Sequence, residues 1–264
     1  MIDTGFQITL SSNEILILAA LLGYESVFGI EEKVFSDENT DLKTLIHQHI
    51  QKLEQDKLIR YDLDGTLYIV SALRQAVDCI CTADTVGLFS TNLKSGKKAS
   101  VYIMEKESFV TTLMDWDHEL YQIHLSDSIP LQDILPQEIL TSKQCQMKEM
   151  MLFEEAERVH SLIESFNYDD AENQLKKHIQ DDTASGLIAK ILTGNCGYAS
   201  IQIHKKGPKL YNSAYNSLLV TVDDSTISLR SDENDVLFFE AQSPSWIVDH
   251  IHSHFTSRQK RGTD

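Results

Sequence analysis

Apolar and polar positions alternate in two long stretches of the chain, and in both the alternation ends at a proline. In residues 197–255, Gly197-Tyr198-Ala199-Ser200-Ile201-Gln202-Ile203-His204 steps at period two before a Lys-Lys-Gly-Pro turn at 205–208. Leu218-Leu219-Val220-Thr221-Val222 then leads through Asp223-Asp224-Ser225 to Thr226-Ile227-Ser228-Leu229-Arg230, and Val236-Leu237-Phe238-Phe239 follows. Period two belongs to a strand with two distinct faces. The segments therefore predict an antiparallel meander running into a helix started by Pro244. Residues 86–140 follow the same order: Val86-Gly87-Leu88-Phe89-Ser90, a Lys-Ser-Gly-Lys turn at 94–97, Ala99-Ser100-Val101-Tyr102-Ile103, two further segments at 109–114 and 120–125, then Ser128-Ile129-Pro130-Leu131. The expected fold class is α+β, a quasi-two-fold repeat of antiparallel β-meander plus helix matching residues 86–135 to 197–251. In the closing helix Ile247, Ile251 and Phe255 recur at spacings of four, and Trp246 is expected as a core anchor beside them.

Elsewhere the period changes to that of a helix. After a short strand in residues 1–10, the polar run Ser11-Ser12-Asn13-Glu14 caps the apolar run Ile15-Leu16-Ile17-Leu18-Ala19-Ala20-Leu21-Leu22, and Gly23 stops it. A short helix is expected over 30–35. Another starts near Asp41, with Leu42, Leu45, Ile46, His49, Ile50 and Leu53 on one stripe. The Asp-Gly step of Asp62-Leu63-Asp64-Gly65 predicts a hairpin, and a further helix covers 72–81. That order is winged-helix-like. Residues 142–166 read as one helix of about 22 residues, ~33 Å long, followed by helices carrying Ala171, Leu175 and Ile179 and then Leu187, Ile188, Ile191 and Leu192. The expected division is a winged-helix-like module at 1–83, a first meander unit at 84–140, a helical insert at 141–195, a second meander unit at 196–256 and a flexible tail at 257–264.

The charge narrows the function. Forty acidic against 23 basic residues give a formal charge of −17, a field that repels nucleic acid phosphate. The hairpin tip carries Asp62 and Asp64, so the module is expected to be structural or protein-binding. No run approaches the roughly 18 apolar residues of a membrane span, and no basic leader precedes an apolar run. A cytoplasmic protein is expected. Cys79 and Cys81 have no third and fourth ligand nearby, and they read with Cys145 and Cys196 as buried free thiols. Asp115-Trp116-Asp117-His118-Glu119 is a dense polar loop without an orienting partner. His250 and His254 share a helix face and are expected to cap its C-terminal end. Phosphate-loop, dinucleotide and nucleophile-elbow motifs are missing from the sequence. The chain is therefore expected to be no enzyme and to hold no cofactor or metal, which moves the weight to protein binding. Both registers of 218–222 are apolar, so either an insert helix or a partner must cover the second sheet face. Candidate contact residues are Leu218, Val220, Val222, Ile227 and Leu229 on the strands, and Met147, Met150, Met151 and Phe153 on the insert.

Two segments carry a resemblance to a known family. Gly197-Tyr198-Ala199-Ser200-Ile201, the basic turn, the long meander and Ser245-Trp246-Ile247-Val248-Asp249-His250-Ile251 resemble the C-terminal half of the EspG family. Leu10-Ser11-Ser12-Asn13-Glu14-Ile15-Leu16-Ile17-Leu18, followed by Leu22-Gly23, resembles that family's opening. The resemblance implies a cytoplasmic, non-catalytic chaperone of type VII (ESX) secretion with a quasi-two-fold fold. Its partner would be a helical-hairpin secretion substrate, held by its tip. Few glycines and arginines suggest a divergent member from a low-GC Gram-positive lineage, with substrates of the WXG, LXG or a similar type. The module at 14–81 departs from the family's pattern. The competing expectation is a winged-helix transcriptional regulator with a ligand-sensing C-terminal domain.

Overall fold

Alternation along each strand sets two sheet faces, and the computed structural model shows what each face packs against. It describes residues 5–30, 42–92, 98–107, 109–115, 120–143, 145–194, 196–208 and 210–255. Strand β1 (Phe6–Ser11) leads into α1 (Ser12–Leu21), α2 (Leu42–Gln55), the hairpin β2 (Ile59–Tyr61) and β3 (Leu67–Ile69), and α3 (Ser71–Thr82). Strands β4 (Thr85–Asn92), β5 (Lys98–Lys106), β6 (Phe109–Asp115) and β7 (Leu120–Ser126) follow, then two short helices, α4 (Leu131–Ile134) and α5 (Gln137–Leu140). The second half opens with β8 (Lys148–Leu152) and three helices, α6 (Phe153–Glu164), α7 (Tyr168–His178) and α8 (Asp182–Leu192). It closes with β9 (Gly197–Lys206), β10 (Tyr211–Val222), β11 (Ser225–Ser231), β12 (Val236–Ala241) and α9 (Pro244–His254).

Among the described residues ten strands form one antiparallel sheet in the order β1-β7-β6-β5-β4-β9-β10-β11-β12-β8. The central pair β4·β9 joins the halves, so the two meander stretches form one continuous sheet. Directly paired residues point to the same side. On the first face, Val86, Met104, Leu113 and Ile123 pack under α1 and α3, while Val220, Ile227, Phe239 and Met151 pack under α6, α7 and α8. On the second face, Phe89, Ile103, Ile201 and Leu219 meet Ile134, Ile139, Ile247 and Ile251 of α4, α5 and α9. Gly87 lies on that face because nothing larger fits: a Cβ there would come within 2.5 Å of the Phe255 ring.

The Ser11–Glu14 cap expected of α1 is formed. The Ser11 hydroxyl accepts from the Glu14 N–H at 3.2 Å, and the Glu14 carboxylate accepts from the Ser11 N–H at 2.7 Å. Lys52 of α2 reaches the same carboxylate at 2.6 Å and ties α2 to α1. Burial alone raises the Glu14 carboxyl, but the bonds from Lys52 and Ser11 outweigh it and hold it below its ordinary value. Asp181 and Ser243 cap α8 and α9 through the N–H groups of Ala184 and Trp246.

Three expectations need correcting. Residues 142–166 are not one helix, and the insert is not wholly helical: residues 148–152 are β8, the outermost strand, and α6 begins only at Phe153. A five-residue Lys-Glu-Met-Met-Leu segment is too short for its period to separate strand from helix, and pairing with β12 decides it. Trp246 is no core anchor, since 41% of it is exposed. The buried stripe of α9 is Ile247 and Ile251, continued by Phe255, and Trp246 lies one position off it. His250 and His254 do more than end a helix: His250 stacks on Trp246 and His254 on Tyr215. The helix expected at 30–35, the polar loop at 115–119 and the tail at 257–264 fall outside the described residues, apart from Ile30 and Asp115.

Candidate protein-binding surfaces

The nine residues singled out as contacts divide by burial. Val220, Val222, Ile227, Met147 and Met151 are each at most 7% exposed, and Leu218 and Leu229 are half-buried against the same core. The insert helices themselves cover the apolar strand face, through Val159, Leu175, Ile188 and Ile191. On the folded chain the five buried residues are closed to a partner, and Leu218 and Leu229 are partly covered by the same core. Met150 and Phe153 remain outside, at 65% and 45% exposed. The alternation of a strand explains the split between neighbours: Met151 points into the core, and Met150 to the opposite side.

The first face is not covered throughout. Its helices stand in two groups, α1–α3 over one half and α6–α8 over the other, with the central strands between them. Register places Leu88 and Ser90 of β4, Tyr198, Ser200 and Gln202 of β9, and Asn216 of β10 on this face. All six are half-buried or exposed, with Tyr198 at 40%. On the opposite side of the same strands Phe89, Ala199, Ile201 and Leu219 are at most 1% exposed. The result is a trough between the two helix groups, with a mostly polar floor, the Leu88 side chain and one aromatic ring. At one end Phe28, from the segment after α1, packs edge-on against Tyr102 and Tyr211. The Tyr211 hydroxyl donates to the Ala83 carbonyl at 2.5 Å. Sequence alternation gave the polar residues of this floor, but only the spacing of the helix groups reveals that it is open.

Ionisable groups near these surfaces serve the fold. Asp78 accepts from Tyr24 and from Lys106, linking the segment after α1 to α3 and β5. The Asp78 bond, with burial, pushes the Tyr24 hydroxyl up to about 12. Burial pushes the thiols of Cys79 and Cys81 up to about 11 and about 12, which leaves them protonated and unreactive at neutral pH. Burial also holds His250 and His254 below their ordinary value. Among the described residues no three His, Cys, Asp or Glu side chains come together to hold a metal ion. Nor is any described helix long and apolar enough to cross a membrane.

No known family model matches the chain, and neither does any curated protein sequence. A solved structure does. It is that of the Mycobacterium tuberculosis type VII secretion system chaperone EspG5 in complex with PE25-PPE41 dimer, similar with a TM-score of 0.63 and 11% sequence identity. The similarity covers 94% of this chain and 95% of that one. At that identity it is a likeness of fold.

Proposed function

We propose that this protein is a non-catalytic, cytoplasmic chaperone of a type VII secretion system, which holds the tip of a helical secretion partner in the trough of the first sheet face. The observation that carries the reading is the shared fold, end to end in both chains, with a chaperone of such a system solved in complex with its PE–PPE dimer. Three features of this chain support it. The trough is flanked by helices and has hydrogen-bonding side chains with one exposed tyrosine, the composition of a contact surface more than of a catalytic cleft. The formal charge of −17 favours a soluble carrier and disfavours the regulator reading, as do Asp62 and Asp64 at the tip of the β2–β3 hairpin. Apart from the β2–β3 hairpin of the first, the halves run in a similar order, an outer strand, helices, four strands and a helical close, of two short helices in the first and one in the second. On this reading they descend from one duplicated unit, and residues 86–135 should superpose on 197–251.

The partner is a helical hairpin of the WXG, LXG or a similar type, encoded near this protein in a low-GC Gram-positive genome. The test is co-expression with each small helical protein encoded beside it, followed by size exclusion. At least one pair should co-elute. Tyr198→Arg or Asn216→Arg in the trough should release it without changing the melting curve. If no pair co-elutes, or if trough charges leave the complex intact in folded variants, the reading fails.

A further inference from the structure

The outer edge of β8 carries a backbone and side-chain pattern that fits its own copy. The Phe153 N–H donates to the Asp235 carbonyl, and the Met147 carbonyl accepts from the Ala241 N–H. Bonding groups alternate along an antiparallel strand. Odd-numbered residues of β8 thus bond inward to β12, and Lys148, Met150 and Leu152 turn their N–H and C=O groups outward, where β8 ends the sheet among the described residues. Their side chains lie together on the second sheet face. Met150 is 65% and Leu152 53% exposed, beyond the reach of the helices that cover the centre of that face. Register sets Met150 beside Phe238 and Leu152 beside Val236, both half-buried, so the apolar patch continues onto β12. Arg230, next along the Met150 row, lies over the Phe238 ring at 5.2 Å.

We infer that this edge is a self-association surface, on which β8 pairs antiparallel with β8 of a second copy about a two-fold axis at Met150. That register opposes Met150 to Met150 and each Lys148 to the other copy's Leu152. It uses all three outward residues, for about six hydrogen bonds, where a shift of the axis by one residue keeps about four. A shift to Glu149 would also oppose two carboxylates, which destabilises a pair. Charge agrees with the two-fold. Lys148, with Glu240 beside it on β12, is the one basic side chain of the strand, and acids flank the Leu152 end, with Glu154 just beyond it and Asp235 across from Phe153. Antiparallel pairing sets each Lys148 toward the other copy's acidic end. The −17 charge of each copy opposes association, but salt at about 0.15 M screens charges more than ~8 Å apart. Exposed edges otherwise carry lysine or bulges against such pairing. Here the lysine, Lys148, stands at one end of the outward row and its centre is methionine.

This surface lies at the far end of the sheet from the trough and on its other face, and it is independent of the chaperone reading. Sedimentation velocity of the full chain in physiological salt should show a dimer that grows with protein concentration. Met150→Glu, which opposes two like charges, should abolish it with an unchanged melting curve, and Leu152→Lys serves if that variant does not fold. Mild oxidation of Met150→Cys should give a covalent dimer, since opposed Cα atoms about 5.5 Å apart suit a disulfide. Lys148→Cys should not, because its copy would lie four positions away. Tyr198→Arg in the trough should leave the dimer unchanged. A monomer at all concentrations with no Met150→Cys cross-link overturns the inference. So does a dimer that survives both charge variants in folded form, or one cross-linked equally well through Lys148→Cys.

Discussion

The sheet ends in two strands that occupy equivalent places and carry opposite chemistry. At one end β1 shows Gln7 and Thr9 to solvent, backed on the same face by His124 and Gln122 of β7. At the other, β8 shows Met150 and Leu152, backed by Phe238 and Val236 of β12. Both strands bury their other side under helices: Leu10 and Ile8 in the first core, Met151 in the second. Since β1 meets the demands of the fold with a polar outer row, the apolar row of β8 is not needed for folding. An exposed apolar row that folding does not require points to association.

The contrast can be broken most severely through the core beneath each edge. Ile227, fully buried between the insert helices and the sheet, should lose about 2–5 kcal/mol on truncation to alanine. Met150→Ala, on the exposed side of the neighbouring region, should stay within about 0.5 kcal/mol in the monomer. Denaturant melts separate the two. Equal losses would mean that Met150 is part of the core and the β8 edge is not free.

Next in size is the tie that holds α2 to the β1 end. Glu14 is 1% exposed, so Lys52→Ala leaves its carboxylate with the Ser11 bonds alone, at a cost of about 1–3 kcal/mol. The pH dependence follows from the lowered carboxyl. A folded-state value below the ordinary 4.5 gives stability that is complete above pH 4.5 and is lost as pH falls through the folded value. Lys52→Ala should remove part of that acid-sensitive stability. A variant with an unchanged acid profile would show that the pair does not hold the two helices.

Trp246→Ala should cost about 0.5–1.5 kcal/mol, the range of a ring pair, because it loses mainly its stack on His250. A loss of about 3–5 kcal/mol would instead be that of a buried aromatic and would reverse the assignment. The smallest effect expected is from the histidines beneath it. Burial lowers both His250 and His254, with the charges of His250 and Lys205 adding to it at His254. The folded chain therefore binds fewer protons than the unfolded one. Their contribution is complete above pH 6.5 and declines as pH drops below 6.5 toward the lowered folded values. A His250→Gln, His254→Gln double variant should flatten that decline, as read by thermal melts across the window.

Much of the fold is legible in the sequence, because period two with turn residues between segments identifies a meander without tertiary information. Asp223-Asp224 between β10 and β11 takes the left-handed backbone that such a turn needs, with φ of 46° and 62°. The Ser11–Glu14 box and the Ser243–Pro244 start are equally local. The candidate surfaces are less legible. Both registers of 218–222 are apolar because helices cover both faces there, so apolarity cannot say which face is free. The trough between the helix groups depends on where α3 and α8 settle, which no local pattern encodes. β8 escaped because a methionine pair suits helix and strand alike, and its outward row acquires meaning only once β12 fixes the register. Trp246 misleads because its neighbours in the chain, and not the ring itself, hold the buried spacing.

The central claim concerns export, and the most direct measurement is made in cells. In a strain lacking this protein, each helical secretion substrate encoded beside it is quantified in the soluble, aggregated and exported fractions. The account predicts that at least one substrate leaves the exported and soluble fractions and collects as aggregate. Wild-type protein should restore it, and a folded Tyr198→Arg variant should not. Unchanged distribution of every such substrate in the deletion strain would contradict the chaperone reading.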